Sequence, residues 1–314
     1  MKPMSPKIVF FGNERLATGV TTQAPTLQAL IAAGYELAAV VVAQEPAGQS
    51  RQARALEVAE VAATHNIPLL APAKLATIKD ELAGFGASLG VLVAYGKFVP
   101  PSIIDLFPRG IINIHPSLLP KHRGPTPLES VILDGDHATG VSLMQLAAAM
   151  DSGDIVAQKM VSLSGDETKQ DLADQLLELG KDMLLANLPA ILAGSIIAIH
   201  QDDIQAQYDQ RLTKDAGKLD GAAWRRPAAV LERQIRAYAG WPRSRTTVGG
   251  TDIIITKAHQ GPGDGSPGTL WLTNKAFGIH AANSVLVIDS LIPVGKKEMS
   301  AAAFLAGYHL ATKV

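Results

Sequence analysis

The chain has 314 residues, 47% of them apolar and 18% charged, which is long enough for two packed domains and too apolar for a disordered chain. Its formal net charge of −1 gives no global signal for a polyanionic partner, although a local basic patch is compatible with that total. There is no cysteine, which excludes disulfides, thiolate metal sites and cysteine nucleophiles together.

The first residues pass directly into a strand-like stretch without a signal-peptide apolar region, and no apolar run is long enough to span a bilayer. A soluble, cytoplasmic protein with no membrane partner is expected. In chain order, 7–11 and 37–43 read as short buried strands flanking a helix over 24–33, with Gly34 as its stop. A second helix is expected over 53–65, then strands at 88–94 and 111–115. Strands alternating with helices define an α/β class: a doubly wound, mostly parallel sheet covered on both faces. Two further strands, 140–146 and 155–163, are joined by a turn over 147–154. A long helix follows, with Leu172, Leu176, Leu179 and Met183 spaced by four, three and four, Thr168 as N-cap and Gly194 as stop.

The pattern changes at about residue 200. Residues 201–218 are polar and lack apolar periodicity, as a linker would. Beyond them come a helix over 228–238 and short strands at 246–248, 251–257, 269–272 and 284–288, separated by glycine-rich turns. That spacing predicts a small C-terminal β barrel or sandwich, and of the two an OB-like barrel is the expected fold. The expected division is a 1–199 catalytic domain, a 200–218 linker and a 219–314 barrel domain.

The chemistry concentrates around Asn113 and His115. Side chains in a strand alternate, so these two share one face while Ile112 and Ile114 point into a core. Pro116 keeps His115 extended, at a strand's carboxyl end where open α/β sheets bind ligands. From this context alone a catalytic and a structural His115 are equally good readings, and the chain has eight histidines. Asp151 sits in Met150-Asp151-Ser152-Gly153-Asp154, a turn composition that on its own reads as backbone capping. Gly12 follows the first strand, but 13–19 lacks the glycine pattern of a dinucleotide site, and there is no P-loop. With no cysteine and no His-x-x-x-His, no metal site is expected.

Taken together, Asn113-x-His115-Pro116-Ser117-Leu118-Leu119-Pro120-x-x-Arg123-Gly124, then Thr139-Gly140-Val141, then Asp151-x-Gly153-Asp154 resemble the folate-dependent formyltransferases. That family includes enzymes acting on methionyl-tRNA, glycinamide ribonucleotide and amino sugars, with related hydrolases. The resemblance implies a Rossmann-like formyltransferase domain, Asn113, His115 and Asp151 as catalytic set, and 10-formyltetrahydrofolate as a consumed co-substrate, without a metal. Formyl transfer to an amine passes through an oxyanion, which an amide N–H can stabilise, and needs a proton carrier, for which an imidazole is suited. The resemblance also implies folate contacts from Ser117, Leu118, Leu119 and Pro120. Phe98 and Val99 would line the pterin pocket, with ordinary core packing as their equal alternative.

In the C-terminal third, Leu231 to Tyr238 with Trp241-Pro242, then Gly295-Lys296-Lys297, Met299-Ser300, Phe304-Leu305 and Gly307-Tyr308, resemble the family members that act on methionyl-tRNA. This implies methionyl initiator tRNA as acceptor, formylated for translation initiation, by a monomer without a stable protein partner. Candidate acceptor contacts are Arg51, Arg54, Arg123, Lys218, Arg236 and Arg243. An amino-sugar nucleotide acceptor and hydrolysis of the formyl folate are the alternatives. Three departures from the family pattern bear on acceptor contact. The loop 12–28 is longer than usual, the segment 49–54 is short and weakly basic, and Gly221-Ala222-Ala223 separates Asp220 from Trp224.

Overall fold

The computed structural model describes residues 6–43 and 56–308. The candidate contacts Arg51 and Arg54, with the segment around them, lie outside the described residues. The chain divides into two compact units. The first is made of Met1–Leu128, His137–Leu163 and Gln170–Gln210, and the second of Glu129–Asp136, Ser164–Lys169 and Arg211–Val314.

The strands of the first unit are β1 (Lys7–Gly12), β2 (Glu36–Val41), β3 (Leu69–Leu70), β4 (Leu89–Val93), β5 (Ile111–His115), β6 (Ala138–Gln145) and β7 (Ile155–Ser162). They form one sheet in the order β3-β2-β1-β4-β5-β6-β7. Pairing is parallel from β3 to β5 and antiparallel for β6 and β7. This is the mostly parallel α/β sheet expected from the sequence. Both of its faces are covered, which is why its central strands read as almost unbroken apolar runs. Val9 and Phe11 of β1 pack with Val41, Tyr95 and Phe107, while Ile8 and Phe10 are buried on the opposite face. Phe11 meets Tyr95 and Phe107 edge-on, with ring centroids 6.1 and 5.8 Å apart.

Helices α1 (Pro25–Ala32), α2 (Glu57–Thr64), α3 (Lys79–Gly84), α4 (Pro101–Ile104), α5 (Pro127–Asp134) and α6 (Lys169–Ala193) connect or follow these strands. The sequence reading anticipated α1, α2 and α6 but not α5, nor the short α3 and α4, whose six and four residues span too few turns for a clear apolar period. In α6, Gly180 lets the helix lie directly on β5. A Cβ there would fall 2.4 Å from Ile114 Cγ2. The Ile114 side of β5 is therefore sealed by helix backbone, and Asn113 and His115 lie on the other side.

The long loop after β1 is tied down at several points. Helix α1 has no side-chain cap at its own N-cap residue, Ala24. The Glu14 carboxylate supplies the cap, accepting the backbone N–H groups of Thr26 and Leu27 at 2.8 Å each. Arg15 pairs with Glu57 of α2 at 2.8 Å, and the Gln170 amide brackets Thr21 by accepting its N–H at 2.9 Å and donating to its carbonyl at 3.0 Å.

The segment 200–218, expected as a linker, is divided between the units. Through Gln210 it belongs to the first, and from Arg211 to the second. Its polarity serves hydrogen bonding rather than solvation, as the site shows below.

The second unit holds β8 (Ser244–Val248), β9 (Thr251–Gly261), β10 (Leu270–Leu272), β11 (Phe277–His280), β12 (Val285–Pro293) and β13 (Met299–Ser300), with α7 (Ala228–Ala237) and α8 (Ala301–Gly307). Its antiparallel path β10-β11-β12-β9-β8, with β13 on β12, is an open half-barrel among the described residues. Trp224, Leu231, Ile235, Phe277, Leu291 and Phe304 fill its core. The reading missed β11, a four-residue strand interrupted by Gly278, where a Cβ would lie 2.5 Å from the Leu286 carbonyl oxygen. Lys169 is buried in this unit, 3.3 Å from Glu129 and donating to the Trp241 carbonyl at 3.0 Å. Burial lowers its pKa against the attraction of Glu129. Among the described residues, no helix is long and apolar enough to cross a membrane.

Candidate active site

Asn113 and His115 stand on β5 as the alternation requires, both nearly buried. The backbone decides the tautomer of His115. Its Nε2 lies 2.9 Å from the carbonyl oxygen of His122. A carbonyl only accepts, so Nε2 carries the proton and Nδ1 of the neutral ring keeps its lone pair. Nδ1 lies 3.8 Å from Asp151 Oδ1. The gap is too long for a direct hydrogen bond. It is short enough for the carboxylate to stabilise a proton arriving on Nδ1. The Asn113 carboxamide makes no hydrogen bond to another described residue, which leaves its donors available to a ligand.

Asp151 reaches this position by a fold-back that its spacing in the sequence does not reveal. Strand β6 runs antiparallel to β5, so the β6–β7 connection begins beside the start of β5, with Leu146 N–H donating to the Ile111 carbonyl. The connection then returns Asp151 to the far end of the strand. Asp151 adopts a left-handed backbone (φ 47°), and its Oδ2 accepts the Gly124 N–H at 2.8 Å. Gly153 is required by close packing, since a Cβ there would sit 1.7 Å from the Gln145 carbonyl oxygen.

The loop from Ser117 to Pro120, expected to contact folate, is held from beneath. The Ser142 hydroxyl donates to the Ser117 carbonyl at 2.7 Å and accepts the Leu119 N–H at 3.1 Å. The Gln158 amide donates to the Leu119 carbonyl at 2.9 Å and to Ser142 Oγ at 2.8 Å. The Ser117 hydroxyl is turned inward, donating to the Lys121 carbonyl at 2.7 Å. Leu118 and Pro120 remain partly exposed and, with Lys121, form one side of an open cleft of about 480 Å³ whose other side is 204–207.

The remaining candidates separate clearly. Phe98 is 67% exposed beyond β4, whereas Val99 belongs to the apolar core beneath it. Arg123 is buried and engaged within the fold. Its guanidinium donates to Gln201 Oε1 at 3.0 and 2.9 Å, to the Tyr208 hydroxyl at 2.8 Å and to Asp203 at 2.8 Å. Burial opposes its charge, but the bonds to Tyr208 and Asp203 outweigh it and raise its pKa. Arg123 therefore braces the loop and is not presented to an acceptor. In the second unit, Lys218 pairs with Asp215 at 2.9 Å. Arg236 is held by Glu232 at 2.6 Å and by the Glu167 carbonyl at 2.8 Å, while Arg243 is exposed. Sequence reasoning missed Ser142, Gln158, His122 and Gln201. The alternation of β6 and β7 could have placed Ser142 and Gln158, which face each other across that pair. Nothing local marks Gln201.

The structure thus places an imidazole and a carboxamide side by side on a central strand and returns a carboxylate to them. Residues 7–188 match the family described as formyl transferase, and 211–309 the formyl transferase C-terminal domain. The methionyl-tRNA formyltransferase of Trichlorobacter lovleyi is 34% identical over 309 residues, spanning 97% of this chain and 95% of that protein. Among solved structures, the sugar 3N-formyl transferase WlaRD superposes with a TM-score of 0.66 at 18% identity, over 94% of this chain and all (100%) of that one. HypX from Aquifex aeolicus, solved with tetrahydrofolic acid, gives 0.65 at 17% over 95% of this chain. This chain spans about half (46%) of the length of HypX. The chain belongs to the formyl transferase family, with end-to-end similarity to its methionyl-tRNA formyltransferases.

Proposed function

We propose that this protein transfers the formyl group of 10-formyltetrahydrofolate to the α-amino group of methionyl initiator tRNA, releasing N-formylmethionyl-tRNA and tetrahydrofolate. For the chemistry, the observation that carries this reading is the placement of the His115 ring, with Nε2 2.9 Å from the His122 carbonyl oxygen and Nδ1 3.8 Å from Asp151 Oδ1. For the acceptor, the support is end-to-end similarity to methionyl-tRNA formyltransferases. The acceptor amine attacks the formyl carbon, and Asn113 donates a hydrogen bond to the oxyanion that forms. His115 Nδ1 takes the proton from the amine, and Asp151 stabilises the resulting imidazolium. As the C–N10 bond breaks, that proton is returned to N10, so the ring ends neutral and the amide is formed. The Ser117–Pro120 loop and the cleft beside it hold the folate, while the second unit takes the tRNA. The same reading makes the protein cytoplasmic and monomeric.

The test is incubation with 10-formyltetrahydrofolate and methionine-charged initiator tRNA, with uncharged tRNA and an amino-sugar nucleotide as parallel acceptors. Formyl-methionine after deacylation is expected. Formyl sugar or free formate in its place would overturn the acceptor. His115→Ala should lower kcat by roughly 10²–10⁴-fold with the fold intact. Undiminished turnover in that variant would remove the proton-carrier role.

A further inference from the structure

Gln201 lies in the polar segment after α6, is 3% exposed, and uses its whole carboxamide inside the protein. Its Oε1 accepts both Nε and Nη2 of Arg123, at 3.0 and 2.9 Å. Its Nε2 donates to the carbonyls of Asp151 and Gly153, at 2.9 and 2.7 Å. All four hydrogen-bonding positions of the amide are filled. Two of its partners are on the turn that carries Asp151, and the other is on the loop that holds His115. Around it, 201–210 runs as a strap along the His115 loop. The Arg123 N–H donates to the Gln207 carbonyl and the Asp209 N–H to the Arg123 carbonyl, at 2.8 and 2.7 Å. Asp209 also meets His122 Nδ1 at 3.1 Å, behind the carbonyl that fixes the tautomer.

We propose that Gln201 is a positioning residue that sets the spacing and orientation of Asp151 against His115, by tying the Asp151 turn to Arg123. This deepens the reading above and rests on its roles for His115 and Asp151. Among the described residues, the other hydrogen bond to Asp151 comes from the Gly124 N–H, and its left-handed backbone needs support from outside the turn. An amide suits the task where a carboxylate or ammonium would not. One end must accept from a guanidinium while the other donates to two carbonyls. Charged or titratable side chains on these segments are Asp151 and Asp154 on the turn, Lys121, His122 and Arg123 on the loop, and Asp202, Asp203, Tyr208 and Asp209 on the strap. Of these, Asp151 and Arg123 are the ones whose tether Gln201 supplies.

The test compares Gln201→Leu and Gln201→Glu with the parent protein. Gln201→Glu keeps the acceptor for Arg123 and loses the donor to the turn, so it remains informative if Gln201→Leu does not fold. Both variants should lose about tenfold to a hundredfold in kcat, the scale expected for ångström misplacement of a reacting group, with KM for each substrate nearly unchanged. The acid limb of the kcat/KM profile should shift, because the carboxylate no longer sits against Nδ1. In an Asp151→Asn background, the Gln201 substitutions should cost little more, as expected for residues acting through one another. Full additivity with Asp151→Asn, or an unchanged pH profile, would overturn the proposal. Ring-nitrogen NMR signals of His115, recorded without substrate, provide an independent readout. They should move in both Gln201 variants even if the parent protein formylates a different acceptor, so failure of the acceptor assignment and failure of the positioning role are distinguishable. Unmoved His115 signals would count against Gln201 whatever the acceptor.

Discussion

One backbone carbonyl occupies Nε2 of His115 and so decides which ring nitrogen is left for Asp151. The same reliance on backbone partners appears at Glu14, where a side chain remote from α1 does the work of its N-cap. Glu14 is buried, and burial raises its pKa from 4.5 to about 7 even though the two backbone N–H donors pull the other way. The folded state thus holds this proton more tightly than the unfolded state does. The stability linked to it is fully present below about pH 4.5 and is lost as pH rises to about 7. At about 1.4 kcal/mol per pKa unit, the loss amounts to about 3 kcal/mol. Glu14→Gln cannot ionise, so its stability should be flatter over that window, measured by urea unfolding between pH 5 and 7.5. Parallel pH profiles for the two proteins would mean that Glu14 is not the linked group.

Elements meet in this molecule where a side chain is missing. Gly180 costs α6 roughly 1 kcal/mol of helix propensity relative to alanine. It is nevertheless placed where a Cβ would fall 2.4 Å from Ile114 on β5. Overpacking of a tight core costs about 1–3 kcal/mol, so the packing penalty should exceed the propensity gain. Gly180→Ala is therefore expected to destabilise the protein by up to about 2 kcal/mol in denaturant titration. Because Ile114 lies between Asn113 and His115, kcat should fall as well. A stabilised Gly180→Ala protein would show that the helix and strand can separate without loss. Gly153 plays the corresponding role in the Asp151 turn, where the nearest atom is the Gln145 carbonyl oxygen and not a side chain that can move aside.

For the molecule as a whole, a net charge of −1 means that any attraction for a polyanion has to come from a local cluster. Some of the basic residues of the second unit are already paired with carboxylates. Lys218 and Arg245 both approach Asp215, and Arg236 is clamped by Glu232. Exposed Arg243 forms no ion pair among the described residues, its Nε donating to the Gly240 carbonyl at 3.0 Å. Arg243→Glu should raise the apparent KM for tRNA several-fold, leave KM for the folate unchanged, and reduce the salt dependence of tRNA binding by about one counterion. A change confined to folate binding would move the tRNA surface elsewhere. Arg236 is a poorer probe, since reversing it would also break its bond to the Glu167 carbonyl.

The sequence by itself determined the alternating strands and helices, the shared face of Asn113 and His115, and the presence of a second set of short strands toward the C-terminus. These features depend on local periodicity, proline and glycine, which act over a few residues. It also marked Asp151, but only through resemblance, because a turn composition is silent about where a turn folds. Tertiary structure decided the rest. It brought Asp151 back along β5, occupied His115 Nε2 with a carbonyl, buried Arg123, and turned an apparent linker into the strap that carries Gln201. Apart from the contact of His115 with His122, seven residues on, each of those outcomes is a hydrogen bond or close approach between residues far apart in the chain. The polarity that makes such a segment look like solvent-exposed linker is the same property that allows it to satisfy buried backbone and side-chain groups.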